Sequence, residues 1–121
     1  MKVIKISDVK LEENTPKHSI FEGGKVGVQT ITDPDFTNKE KISAVVINFS
    51  PGARTLFHTH THPQILYVTE GIGRVATEKE EVNVTPGTIV IFPAGEKHLH
   101  GATKDSKFSH ISISTPGETS W

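Results

Sequence analysis

The chain has 121 residues, 34% of them apolar, with 13 Lys and Arg against 14 Asp and Glu for a net charge of −1. That is enough chain for one ordinary domain and one core, without the basic field that draws a protein to nucleic acid. The complete absence of Cys excludes a disulfide scaffold, Cys-held zinc, iron–sulfur clusters and thiol catalysis.

In chain order the N-terminal third is the least regular. Residues 3–9 are expected to form a short edge strand, and residues 14–19, which contain Pro16, a loop. Residues 25–31 read as a strand opened by Gly23-Gly24, and residues 32–41, with Asp33-Pro34-Asp35, as turn or loop. From residue 42 the pattern sharpens. Residues 42–49 are rich in β-branched side chains and stop at Ser50-Pro51-Gly52. Strands over 55–60 and 64–69 are separated by Thr61-His62-Pro63. Gly71-Ile72-Gly73 makes a turn into 74–77, and the charged residues 78–81 make the next turn, into 82–84. Pro86-Gly87 precedes a strand over 88–92, Pro93-Ala94-Gly95 precedes one over 98–100, and 108–114 alternates until Pro116-Gly117. Eight or more short strands with turn signals every 8–12 residues, and no apolar stripe of helical period, predict an all-β sandwich or small barrel. The longest apolar runs, such as Ile89-Val90-Ile91-Phe92, are far below the ~20 residues of a membrane span. The charged first 25 residues show no apolar export signal, so a cytoplasmic setting with no membrane partner is expected, and the two glycan-acceptor triplets at Asn48 and Asn83 are taken as chance.

Six of the seven His fall between positions 58 and 110: His58, His60, His62, His98, His100 and His110. Residues two apart in a strand share a face, so His58 projects with His60 and His98 with His100. Two hairpins could bring His58, His60, Gln64 and His98 to one point inside a barrel. Three imidazoles and one oxygen suit Mn, Fe, Ni, Co, Cu or Zn, with one or two positions left open. His62 is expected on an exposed turn and His18 without a role. Arg54 reads equally as an anion contact or a surface residue, and residues 78–81 as a solvated hairpin tip. Ile111 and Ile113 face away from the His110 side, which leaves the last strand apolar on both faces. Its cover is expected from the N-terminal strand or a second subunit, and a homodimer is predicted.

Two blocks frame these residues: Gly52, five residues, His58-Thr59-His60, three residues, Gln64, six residues, Gly71; then Gly87, five residues, Pro93-Ala94-Gly95, two residues, His98. Together they resemble the paired signature motifs of the cupin family. The resemblance implies a cupin-type double-stranded β-helix, or jelly-roll barrel, commonly dimeric and holding a divalent metal. Residues 1–121 then form a single domain, 1–40 as N-terminal strands and loops and 42–115 as the motif barrel. Two positions depart from the family pattern: Gln64 replaces an acidic ligand, and Ala102 replaces an Asn. A neutral Gln leaves the ion its full charge, which favours Lewis acidity over iron redox chemistry.

The stretches Pro51-Gly52-Ala53-Arg54-Thr55, His58-Thr59-His60, Gln64, Val68-Thr69, Gly95-Glu96-Lys97-His98 and His100-Gly101-Ala102 look like the small bacterial cupin hydroxynitrile lyases. They are also similar to the cupin part of carboxymuconolactone decarboxylase-like proteins. That resemblance implies one metal per chain, manganese first with Fe, Ni, Co or Zn as alternatives, held by His58, His60, Gln64 and His98. It further implies acid–base roles for His110 and His100, and substrate contacts from Val45 and Ile47, with Phe108 on the His110 face of the last strand. The expected reaction is cleavage or formation of a cyanohydrin, a small-molecule substrate. An iron-dependent dioxygenase and a non-enzymatic ligand-binding module are the alternatives.

Overall fold

The structure, a computed structural model, describes residues 1–13, 19–32 and 41–121. The loops expected at 14–19 and 32–41, and His18, lie wholly or mostly outside the described residues.

After a 3-10 turn at Ile6–Asp8 come β1 (Glu12–Glu13), β2 (Phe21–Glu22), β3 (Val26–Thr30), β4 (Ser43–Phe49), β5 (Arg54–Thr55), β6 (Thr59–His60) and β7 (Gln64–Gly71). β8 (Gly73–Thr77), β9 (Glu81–Val84), β10 (Ile89–Phe92), β11 (His98–Ala102), β12 (Phe108–Ser114) and β13 (Thr119–Ser120) complete the order. One sheet runs β1-β3-β4-β12-β7-β10, a second β2-β5-β11-β8-β9, and β13 pairs with β6. The architecture is all-β, a sandwich of jelly-roll type. Among the described residues no helix is long and apolar enough to cross a membrane.

Alternation drives the packing. In β7, Gln64, Leu66 and Val68 are buried while Ile65, Tyr67 and Thr69 face out. Phe49 of β4 and Phe108 of β12 are register partners, their rings stacked at 5.9 Å, and both are almost fully buried. Each such ring contributes roughly 1.5–3 kcal/mol by burial. A bulge between Ser109 and His110 resets the parity of β7: His110 pairs with Val68 and Phe108 with Gly71. Phe108 and His110, two residues apart on β12, therefore both face inward beside β7 partners that are three residues apart. Gly71 has φ 75°, and a Cβ there would overlap the Lys107 carbonyl, so the tight turn into β8 requires glycine.

Two expectations are corrected. Residues 3–9 form no strand; Val3 is 82% exposed, and the Gln29 carboxamide donates to the carbonyls of Ile6 (3.0 Å) and Val9 (3.1 Å), which holds a turn instead. The edge is supplied by β1, paired to β3. Residues 55–60 are not one strand either. Arg54 pairs with Gly101 and His58 with His98, a register change of one residue, so the ladder breaks between Thr55 and His58.

The outer face of the six-stranded sheet stays apolar at one end. Ile65, Tyr67, Ile89, Ile91 and Ile113 lie on neighbouring strands in register and are exposed. At the other end the face is polar: Gln29 Oε1 accepts from Asn48, and Asn48 Oδ1 accepts from Ser109.

Candidate metal centre

Three imidazoles converge where the two main sheets meet. His58 and His98 form an isolated antiparallel bridge, each donating its N–H to the other's carbonyl at 2.9 and 3.0 Å. His60 follows on β6. One nitrogen from each of the three rings lies within 4.8 Å of the others.

The hydrogen bonds behind the rings decide which nitrogens face inward. His58 Nδ1 lies 2.9 Å from the Leu56 carbonyl and His98 Nδ1 2.8 Å from the Glu96 carbonyl. A carbonyl only accepts, so both rings carry their proton on Nδ1 and present a bare Nε2 lone pair to the centre. His60 Nδ1 lies 2.8 Å from Thr119 Oγ1. The Nε2 atoms of His58 and His60 are buried without a hydrogen-bond partner.

Gln64, opening β7, completes the arrangement. Its Nε2 donates to Ser112 Oγ at 2.8 Å, which turns Oε1 towards His98 Nε2 at 3.2 Å. Two acceptors then face each other with no proton between them. A cation resolves that contact, and the unpartnered Nε2 atoms of His58 and His60 call for the same thing. The donor set fits a divalent ion of the borderline type.

Electrostatics keep the lone pairs available. Burial, then the neighbouring imidazoles of His58 and His62, pushes His60 down to about 4. Burial pushes His98 down to about 4, with His58 and His60 acting in the same direction. His58 is lowered by burial as well. At neutral pH all three rings are uncharged.

Beyond them lies a second pair. His100 is buried on β11, its ring 5.6 Å from that of His58 and 5.9 Å from that of His98. Its Nδ1 lies 3.1 Å from His110 Nε2 on β12. His100 Nε2 and His110 Nδ1, the outer ends of this pair, have no partner. Burial, then His110 beside it, holds His100 well below its ordinary range, and burial pushes His110 down to about 3.

Val45 and Ile47 pair with Ser112 and His110 and share their inward face. Phe108, 0% exposed, sits at the other end of β12 from Ser112, against Phe49 and His110. His62 is half-buried on the turn and stacks on His60 at 4.9 Å. Arg54 is engaged by Glu22 at 2.7 Å on the surface. Three contributors were not singled out from sequence. Phe92 stacks on His98 at 3.8 Å, Thr55 Oγ1 accepts the His100 N–H at 3.1 Å, and Thr119 backs His60. Phe92 ends an apolar strand and pairs with Gln64, so its side of the strand was readable; Thr119 carries no sequence signal.

An inward-facing histidine cluster in a jelly-roll sandwich defines a class, and comparison places the chain in it. The Cupin domain model matches residues 45–114, more than half of the chain, and the chain belongs to the cupin family. Over 73 residues it is 41% identical to an (R)-mandelonitrile lyase from Granulicella tundricola; the match covers 60% of this chain and 56% of the lyase, little more than half of that protein's length. A cupin-like protein from Thermotoga maritima superposes over 100% of this chain and 88% of its own, with a TM-score of 0.81 and 27% identity. The polyketide cyclase RemF from Streptomyces resistomycificus superposes over 100% of this chain and 86% of its own, with a TM-score of 0.82 and 19% identity, a likeness of fold alone.

Proposed function

We propose that this chain is a metal-dependent lyase of the hydroxynitrile type, cleaving or forming a small cyanohydrin. The observation that carries it is the convergence of the bare Nε2 atoms of His58 and His98, the unpartnered Nε2 of His60 and Gln64 Oε1. His58, His60, Gln64 and His98 would hold one divalent ion, manganese first, with Fe, Ni, Co or Zn as alternatives. The partial identity to a mandelonitrile lyase supports the choice of reaction. When bound, the ion supplies Lewis acidity towards a hydroxyl or carbonyl oxygen.

The chain's own part is to hold and move one proton. Both rings of the His100–His110 pair are neutral and share a single hydrogen bond, so one outer nitrogen is a bare acceptor and the other an N–H donor. With the shared proton on His100 Nδ1, His100 Nε2 is the acceptor, and it is the end nearer the three converging imidazoles. It takes the hydroxyl proton of the cyanohydrin. The C–CN bond breaks with its electron pair leaving on cyanide, the oxygen forms the aldehyde carbonyl, and the proton passes to cyanide as hydrogen cyanide. Addition runs the same steps backwards. Val45 and Ile47 supply the apolar wall beside His110.

The test is metal content by mass spectrometry on protein purified without chelator, with mandelonitrile cleavage assayed on the same sample. About one ion per chain and turnover lost on chelation are expected. Metal without cleavage, but with oxygen-dependent turnover of the iron form, would replace the lyase with a dioxygenase. A protein that stays empty with every ion removes the metal centre.

A further inference from the structure

The backing of the three rings is unequal. His58 and His98 each lean on a carbonyl two residues back in their own chain segment, which comes with the strand itself. His60 has no such neighbour. Its Nδ1 contacts Thr119 Oγ1, 59 residues away on β13. That strand is short but held at several points. Thr119 and Ser120 pair with His60 and Thr59, the Thr61 N–H donates to the Glu118 carbonyl at 3.0 Å, and the Glu118 N–H donates to Thr61 Oγ1 at 2.9 Å. Gly117 lies so close to Thr61 and His62 that a Cβ would collide with both side chains. The hydroxyl is therefore placed by the backbone around it rather than by chance contact.

We propose that Thr119 is a positioning residue for His60: its hydroxyl accepts the Nδ1 proton, fixes the tautomer with a bare Nε2, and sets the ring plane. The C-terminal strand thereby becomes part of the metal site. This rests on the metal-centre reading above. A metal-bound imidazole is oriented and made more basic by the acceptor on its other nitrogen, and loss of such an acceptor typically costs 10–100-fold in metal affinity. A hydroxyl that accepts at Nδ1 holds the proton on that nitrogen, and removing it frees His60 to hold its proton on either one.

The test compares the parent protein, Thr119→Val and Thr119→Ser. Thr119 is exposed, and Val keeps its shape without the hydroxyl, so folding is expected to hold by circular dichroism. Mn and Zn affinity by competition with a chelating dye should fall about 10–100-fold in Thr119→Val and return in Thr119→Ser. Nitrogen-15 spectra of the metal-free protein should show His60 protonated on Nδ1 in the parent and in Thr119→Ser, and mixed tautomers in Thr119→Val. Unchanged affinity in Thr119→Val, in a parent that binds metal, overturns the proposal. If the parent binds no metal, the reading of the site fails, and the tautomer spectra still decide Thr119: identical His60 spectra in parent and Thr119→Val overturn it.

Discussion

At the scale of single residues, Gln64 is where the chemistry is set. Its amide donates to Ser112 and offers only oxygen to the centre. Gln64→Glu adds a charged ligand, so metal affinity should rise while mandelonitrile turnover falls, because the ion is partly neutralised. Gln64→Leu should lower affinity by roughly 100-fold or more, at least the loss seen on removing outer-sphere partners. Titration calorimetry and a cleavage assay read both; equal turnover in Gln64→Glu and the parent would show that ion charge does not limit the rate. The convergence of His58, His60 and His98 was legible because a strand has period two. Thr119 was not, because a hydroxyl 59 residues away declares nothing until β13 is paired.

At the scale of elements, turns and register carry the information. The strands at 42–49, 64–69 and 108–114 were readable from alternation and bounding Gly and Pro, and the structure places β4, β7 and β12 there within two residues. The break between β5 and β6 was not readable, since a one-residue slip against β11 leaves no trace in composition. Nor was the bulge at Ser109, which keeps Val68 and Gly71 facing His110 and Phe108. Two glycines separate strain from collision. Gly87 has φ 86° with open space around its Cβ position, whereas Gly71 has φ 75° and meets the Lys107 carbonyl. Gly87→Ala should cost about 1–2 kcal/mol, the left-handed penalty alone. Gly71→Ala should cost clearly more, because the β7–β8 turn must also shift. Urea unfolding of the two variants checks the order; equal losses would mean that the turn yields freely.

At the scale of the whole molecule, the buried histidines make stability depend on pH. His60 and His98 are held at about 4 and His110 at about 3, with His58 and His100 also lowered, against an ordinary 6.5. The unfolded chain takes up protons near 6.5 that the folded chain refuses, so this contribution is complete above 6.5 and is lost as pH falls towards 4. For His100 and His110, the most buried, the slope is at most about 1.4 kcal/mol per pH unit each. Thermal unfolding of metal-free protein should fall steeply between pH 6.5 and 4, and a flat profile would mean the rings are hydrated. The homodimer expected from the last strand would cover Ile65, Ile89, Ile91 and Ile113. Light scattering should then give twice the chain mass, and Ile91→Lys with Ile113→Lys should halve it; a monomeric parent removes the expectation. The family was legible from two short blocks because they fix the inward faces of two hairpins, while the N-terminal residues show no such spacing. The donors, finally, do not belong to one sheet. Gln64 opens a strand of the six-stranded layer, and His98 opens a strand of the five-stranded one. An ion gripping both would rivet the layers together, so the loaded protein should resist pulling apart at that corner, and amide exchange in β7 and β11 should slow in concert when metal is added.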